Sequence, residues 1–282
     1  VALIGNQTFA LSRWWASKTI ELVKTDRNIF SKNKLREIRR ELIAGTNQIS
    51  GIQGWMLSAQ LICNIKTGEY ELTNFARALL DNDPKLDKSA SWWAIHLSIC
   101  FSERRDPYHQ FFCNLDNLSK DWQLLDTLKE KIYSKIESAA KDSIDKNLDG
   151  ILNMFKDNRP LADLGLIEIS KIREEGICVR LGSSKLTDVC AIHALAMLRF
   201  HQLKSRSTVT FSELMAIGLA NFLCSRPEDL RLQLRRMHQS QQWQDYFSFN
   251  EAVNNDSLAF ADSCDPKKTL LLLLQQGEDT WL

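Results

Sequence analysis

Between Gly45 and Asp81 the hydrophobic period of the chain changes twice, and no other stretch constrains the fold as much. From Ile49 to Leu61 apolar residues return at helical spacing: Ile49, Ile52, Leu57 and Leu61 form a stripe that Trp55 and Met56 widen. Thr46 or Asn47 is the expected N-cap, because a short side-chain oxygen satisfies the free N–H groups of a first helical turn. Asn47, Gln48, Ser50 and Gln53 are polar, uncharged and close to the helix start. After Leu61 the pattern becomes alternation, through Ile62, Asn64 and Lys66. Thr67-Gly68 reads as the turn, with Gly68 supplying a positive φ, and Glu69-Tyr70-Glu71-Leu72 as the returning strand. Thr73 then caps a helix that Asn82-Asp83-Pro84 stops, since the residue before proline is pushed out of helical geometry.

The residues before Gly45 fit the same unit. Leu11 to Thr25 is amphipathic, with Trp14, Trp15, Ile20 and Val23 as core candidates. Ser31 or Asn33 would cap a second helix over Lys34 to Ile43, with Leu35, Ile38 and Leu42 inward. Helix, helix, helix, hairpin is the order of a helix-turn-helix with a wing. Such units dock proteins as well as DNA, so the order does not fix the function.

Further along, Ser91 is the expected cap of a buried helix from Trp92 to Phe101, in which His96 reads as a core histidine. Tyr108 to Phe112 returns to the core. Residues 116–160 read as helical, with Trp122, Leu125, Leu128 and Ile132 at helical spacing. Ser138 or Asp142 opens the next helix, through Ile144, Leu148, Ile151, Leu152 and Phe155. Leu166 to Ile169 and Ile177 to Leu181 flank a polar turn at Arg173-Glu174-Glu175-Gly176 and suggest a second wing.

From residue 185 the plan of the N-terminal unit repeats in topology. Thr187 or Asp188 caps a helix to about Leu203, Thr208 to Thr210 is extended, and Ser212 to Leu219 is helical. Ser225-Arg226-Pro227-Glu228 opens a helix to about His238, with Arg231, Arg235 and Arg236 outward and Leu230, Leu234 and Met237 inward. Tyr246 to Phe249 would pair with Leu258 to Phe260, and Lys267 to Gln276 closes with a leucine-rich helix. The expected fold is mainly α with small β hairpins: a winged-helix-like domain over 1–115, a helical middle region with a hairpin over 116–184, and a second winged-helix-like domain over 185–282.

Composition narrows the function. With 282 residues the chain has room for two or three domains. Its longest apolar run, Leu270 to Leu274, is far too short to span a bilayer, and Val1 to Gly5 does not read as a signal peptide. Seven cysteines without a C-x-x-C pair suggest reduced thiols in a cytoplasmic protein and make a structural zinc site improbable. A formal charge of +1 argues against a broadly basic surface. Lys32, Lys34, Arg36, Arg39 and Arg40 nevertheless form a local cationic run, offset by Glu37 and Glu41. Such a run is ordinarily a solvated helix face; the adjoining polar-tipped helix gives it a second meaning.

A catalytic centre is not legible. Gly182-Ser183-Ser184-Lys185 lacks the full P-loop pattern, and no G-x-S-x-G or H-E-x-x-H occurs. His193 and His201 could share a helix face, but a metal there would need a carboxylate from elsewhere. Glu103 with Asp106, or Asp142 with Asp145, are the acidic pairs a Mg²⁺-dependent nuclease would draw on, with no more than the composition of turns and helix faces behind them.

Several segments together resemble one family. They are Asn6-Gln7-Thr8-Phe9 with Arg13-Trp14-Trp15; Gly45 to Ser50 with Ile52 and Trp55; Leu72-Thr73 with Leu79-Leu80; Trp92 to His96; and Pro160 to Ile167. The pattern is similar to the SspB-type proteins, a domain-of-unknown-function family of bacterial DNA phosphorothioation and defence operons. The resemblance implies a DNA-binding protein that nicks one strand so that sulfur can replace a non-bridging phosphate oxygen, using Mg²⁺ or Mn²⁺ if it is a nickase. It also implies sulfur-transfer and ATPase components of the same system as partners. Near its N-terminus the family often has His-Glu-Thr-Phe, where this chain has Asn6-Gln7-Thr8-Phe9. Two amides cannot serve as base or charged ligand near neutral pH, so either the pair is structural or this member has lost that activity.

On this reading Thr46, Asn47, Gln48, Ser50 and Gln53 face a groove of double-stranded DNA, and Lys34, Arg39, Arg40 and Lys66 hold phosphates. The alternatives are a non-enzymatic adaptor for other proteins of the complex, or a regulator of the operon acting as a homodimer.

Overall fold

The computed structural model describes residues 8–102, 107–118, 121–136, 139–172, 176–252 and 256–276. Along the chain run α1 (Arg13–Thr25), α2 (Leu35–Glu41), α3 (Thr46–Ser58), β1 (Ile62–Lys66), β2 (Glu69–Leu72), α4 (Asn74–Asn82), α5 (Ser89–Phe101) and α6 (Pro107–Asn114). There follow β3 (Gln123–Leu124), α7 (Leu125–Tyr133), α8 (Lys141–Met154), β4 (Ile167–Ile172) and β5 (Gly176–Leu181). Last come α9 (Asp188–His201), β6 (Thr208–Thr210), α10 (Phe211–Ile217), α11 (Leu219–Phe222), α12 (Pro227–Gln239), β7 (Phe247–Asn250), β8 (Ser257–Phe260) and α13 (Pro266–Gln276). The chain is mainly helical, with three small antiparallel sheets among the described residues: β1-β2, β3-β5-β4 and β6-β8-β7.

Contacts divide the chain into two units. The first holds 1–111 and 129–163, the second 112–128 and 164–282, so the stretch 116–184 is shared between them. In the first unit α1 starts at Arg13 because the Ser12 hydroxyl accepts the Trp15 N–H at 3.2 Å. Ala16, Thr19, Ile20 and Val23 are its buried face. Trp14, expected inward, is 46% exposed, and Trp15 is half-buried with its indole N–H donating to Leu42 O at 3.1 Å. The helical period places Trp14 on the opposite side of the helix from the Ala16–Ile20 face, and the aromatic pair alone could not settle which ring turned in.

Thr73 caps α4, as its sequence position suggests, accepting the Ala76 N–H at 3.1 Å. Ser91, by contrast, lies inside α5 rather than before it, and Lys88 is the N-cap. Its hydroxyl instead donates to the buried carboxylate of Asp83. From Ala90 to Phe101 every residue of α5 is buried, so this is a central helix with no solvent face. His96 is buried within it, with Nδ1 2.8 Å from the Tyr108 hydroxyl. Helix α8 is capped by Ala140 rather than Asp142, and the other expected cap, Ser138, lies outside the described residues.

In the second unit Trp122 precedes β3 and is not helical; its ring lies under the Arg180 guanidinium at 4.4 Å. The pair β4–β5 forms in the expected place, although the expected turn residues 173–175 lie outside the described residues. Helix α9 is capped by Thr187 at 3.2 Å from the Cys190 N–H. Thr210 caps α10, and Glu213 reaches back to the Thr210 N–H at 2.8 Å in a reciprocal capping box. The N-cap of α12 is Arg226 rather than Ser225, with Pro227 at the first helical position. Leu230, Leu234 and Met237 are buried, as their period requires.

Candidate nucleic-acid interface

Gly45, rather than Thr46 or Asn47, is the N-cap of α3. Glycine has no side chain to offer, so only half of a capping box forms: Gln48 Oε1 accepts the Gly45 N–H at 2.8 Å. The consequence is that Thr46 and Asn47 are not spent on capping. Both are exposed, as is Ser50, whose hydroxyl lies 3.4 Å from Thr46 O. Gln48 and Gln53 are half-buried. On the opposite side Ile49, Ile52, Trp55 and Met56 are buried, and the Trp55 indole N–H is anchored on Phe9 O at 2.6 Å. Leu57, expected inward, is half-buried.

The cations differ in their freedom. Lys34 is held by Asp26; their hydrogen bond lowers the Asp26 carboxyl below its ordinary range and raises the Lys34 ammonium. Lys66 pairs with Glu69 at 2.8 Å and Arg40 with Glu41 at 3.4 Å. Lys32, Arg36 and Arg39 are exposed and carry no ion pair among the described residues. Helix α2 packs on α3, so Arg36 and Arg39 belong to the same small body as the polar helix start. Of the four cations expected to meet phosphates, Arg39 alone has no ion pair among the described residues; Arg36 and Lys32 join it from the same run.

The β1–β2 pair follows α3 directly. Ile62 faces Leu72, Cys63 faces Glu71, Asn64 faces Tyr70 and Lys66 faces Glu69, with a bulge between Asn64 and Lys66. Gly68 closes the turn at φ +79°, a conformation that favours glycine. Asn64, Ile65, Lys66 and Thr67 are exposed at this tip.

In the second unit every outward arginine of α12 is neutralised. Arg231 pairs with Asp256 at 3.3 Å, Arg235 with Glu251, Arg236 with Asp188, and Arg226 with Asp229 at 2.8 Å. A polar cavity of 760 Å³ lies beside this helix, lined in part by Arg180, Gly182, Ser183, Arg226 and Arg236. Glu168 accepts from Arg180 at 2.9 and 2.6 Å, so the cavity's charges are largely matched within the protein. The Gly-Ser-Ser-Lys segment was the only sequence signal for it.

The remaining candidates do not converge. His193 is buried, with Nδ1 3.0 Å from the Thr269 hydroxyl, and burial lowers its pKa to about 4. Burial also lowers His201. Asp142 pairs with Lys146 at 2.7 Å, and Asp145 with Tyr133 and Lys129. Glu103, Asp106, Asn6 and Gln7 lie outside the described residues. Among the described residues no three His, Cys, Asp or Glu side chains gather to hold a metal ion. The seven cysteines are free thiols. No helix among the described residues is long and apolar enough to cross a membrane.

The model of a protein family of unknown function, DUF4007, matches residues 4–273. The fold is similar to the crystal structure of a magnesium-bound SspB, with a TM-score of 0.76 and 19% identity over 99% of this chain and 88% of that one. A second SspB crystal structure matches with a TM-score of 0.75 and 18% identity, over 98% of this chain and 87% of the other. No curated protein matches the sequence.

Proposed function

The chain belongs to the DUF4007 family, and we propose that it acts as a DNA-binding component of a bacterial DNA phosphorothioation defence system. In this reading α1, α2 and α3 with the β1–β2 hairpin are a winged helix, and α9, β6, α10, α12 and β7–β8 are a second. The observation that carries the proposal is the helix start in which Thr46, Asn47 and Ser50 are exposed beside the unpaired Arg36 and Arg39. Hydroxyl and amide groups can meet base edges or phosphates, and guanidinium groups hold phosphates bidentately. Gln48 and Gln53 contribute from the margin of that face, Lys34 acts mainly by fixing α2 through Asp26, and Arg40 and Lys66 add charge at the rim.

One SspB binds magnesium, yet the described residues of this chain bring no three acidic, histidine or cysteine ligands together. No catalytic step is therefore assigned to a metal. The matched ion pairs of α12 favour a second role: this helix suits docking to a protein of the sulfur-transfer or ATPase components better than it suits a phosphate backbone.

Supercoiled plasmid, with and without Mg²⁺ or Mn²⁺, tests both parts. Retardation without conversion to open circle is the result expected for a binding component; conversion that EDTA abolishes would establish a nickase. Failure to bind duplex even at low salt would remove the nucleic-acid reading and leave the adaptor.

A further inference from the structure

Two isoleucines of the first unit stand in irregular backbone and point to solvent. Ile43 follows α2 at φ +46° and is 82% exposed. Its N–H donates to Arg40 O at 3.3 Å and the Ala44 N–H to Arg39 O at 3.1 Å, the two reverse bonds that end a helix with a left-handed residue. Glycine is the residue that fits such a position; a β-branched side chain is among the worst. Burial does not compensate, because the side chain is almost wholly in water. Ile65 is the second case. It is the extra residue of the β1 bulge, lying between the paired positions Asn64 and Lys66, and it is 45% exposed. A bulge re-aims a side chain that a regular ladder would direct elsewhere. Single exposed apolar residues need no explanation by themselves. Two of them, each in a local backbone exception and flanking α3 in sequence, do.

We infer that Ile43, in the turn before α3, and Ile65, in the hairpin that follows it, are apolar contacts to duplex DNA, packing on thymine methyl groups and deoxyribose carbons. The inference rests on the proposed DNA-binding function and adds residues to it. The unpaired Arg36 and Arg39 on the helix that Ile43 terminates favour an anionic partner. Apolar side chains of this kind contribute to base reading without adding phosphate contacts.

Fluorescence anisotropy on a labelled duplex, with thermal melts of the same proteins, tests it. Ile43→Gly should raise the melting midpoint, because it relieves the left-handed isoleucine, yet weaken duplex affinity by about five- to tenfold with an unchanged salt slope. Ile43→Leu should hold affinity within about twofold, since its apolar volume is kept. Ile65→Thr should weaken binding in the same manner as Ile43→Gly. An Ile43→Gly protein that binds as tightly as wild type would overturn the inference while leaving the proposed function intact. A lowered midpoint for Ile43→Gly would overturn the premise that isoleucine is held there at a cost. Absence of duplex binding by the wild-type protein would instead remove the proposed function, and the contacts with it.

Discussion

The Ser91 hydroxyl donates to Asp83 Oδ2 at 2.6 Å inside the first unit, and the same carboxylate accepts the N–H groups of Asp87 and Lys88 at 2.9 Å each. Asp83 is 5% exposed and sits where α4 ends, so one side chain satisfies three donors across the turn into α5.

Asp83→Ala should therefore leave three donors without an acceptor and destabilise the protein by about 2–4 kcal/mol. Urea unfolding of the variant against wild type measures it. Ser91→Ala should cost less, about 1 kcal/mol, since two of the three bonds survive.

His193 gives a pH dependence with a defined sign. Its folded pKa of about 4 lies below the ordinary 6.5, so the unfolded chain binds more protons between those values. The neutral ring is tolerated fully above pH 6.5, and stability falls as pH drops from there towards 4, by about 3 kcal/mol in total. Unfolding curves at pH 7, 6, 5 and 4 should show a smaller loss for His193→Gln than for wild type. Equal losses would show that the histidine does not carry the effect.

Gly182 and Gly165 meet backbone to backbone. A Cβ on Gly182 would stand 2.3 Å from Gly165 O, with no flexible side chain to move aside. Gly182→Ala should cost about 1–3 kcal/mol as an overpacked site. The thermal midpoint should fall accordingly, whereas alanine at Gly45, whose nearest neighbour is Gln48 Oε1 at 3.6 Å, should be tolerated far better.

Within the proposed interface, Arg39→Gln should lower duplex affinity and reduce the salt slope by about 0.9, the signature of one lost phosphate contact. Glu69→Gln should act oppositely. It releases Lys66 from its 2.8 Å pair, so affinity at low salt should rise. Titrations of both variants across a range of salt concentrations give the two slopes.

Much of the secondary structure was legible because its signals are local. Thr73 and Thr187 cap their helices through side-chain oxygens three residues from the N–H they accept. Gly68 takes the positive φ its turn needs, and the alternation at Ile62 to Leu72 pairs as strands. Of the cap assignments that missed, at Thr46, Ser91, Asp142 and Ser225, two have a visible reason: Gln48 reaches back to the Gly45 N–H ahead of Thr46, and Asp83 takes the Ser91 hydroxyl.

By itself, then, the sequence determined the helical class, the hairpin after α3 and the identity of the polar and cationic residues around that helix, because period, turn chemistry and charge are properties of neighbouring residues. Tertiary structure decided which of those groups are free. Arg39 remains unpaired while Lys34, Lys66 and Arg40 meet Asp26, Glu69 and Glu41, and Trp14 faces water while Trp55 is fixed on Phe9 O. Ion pairing and burial depend on what the folded chain brings alongside each group, and for Trp55 that partner is 46 residues away along the chain.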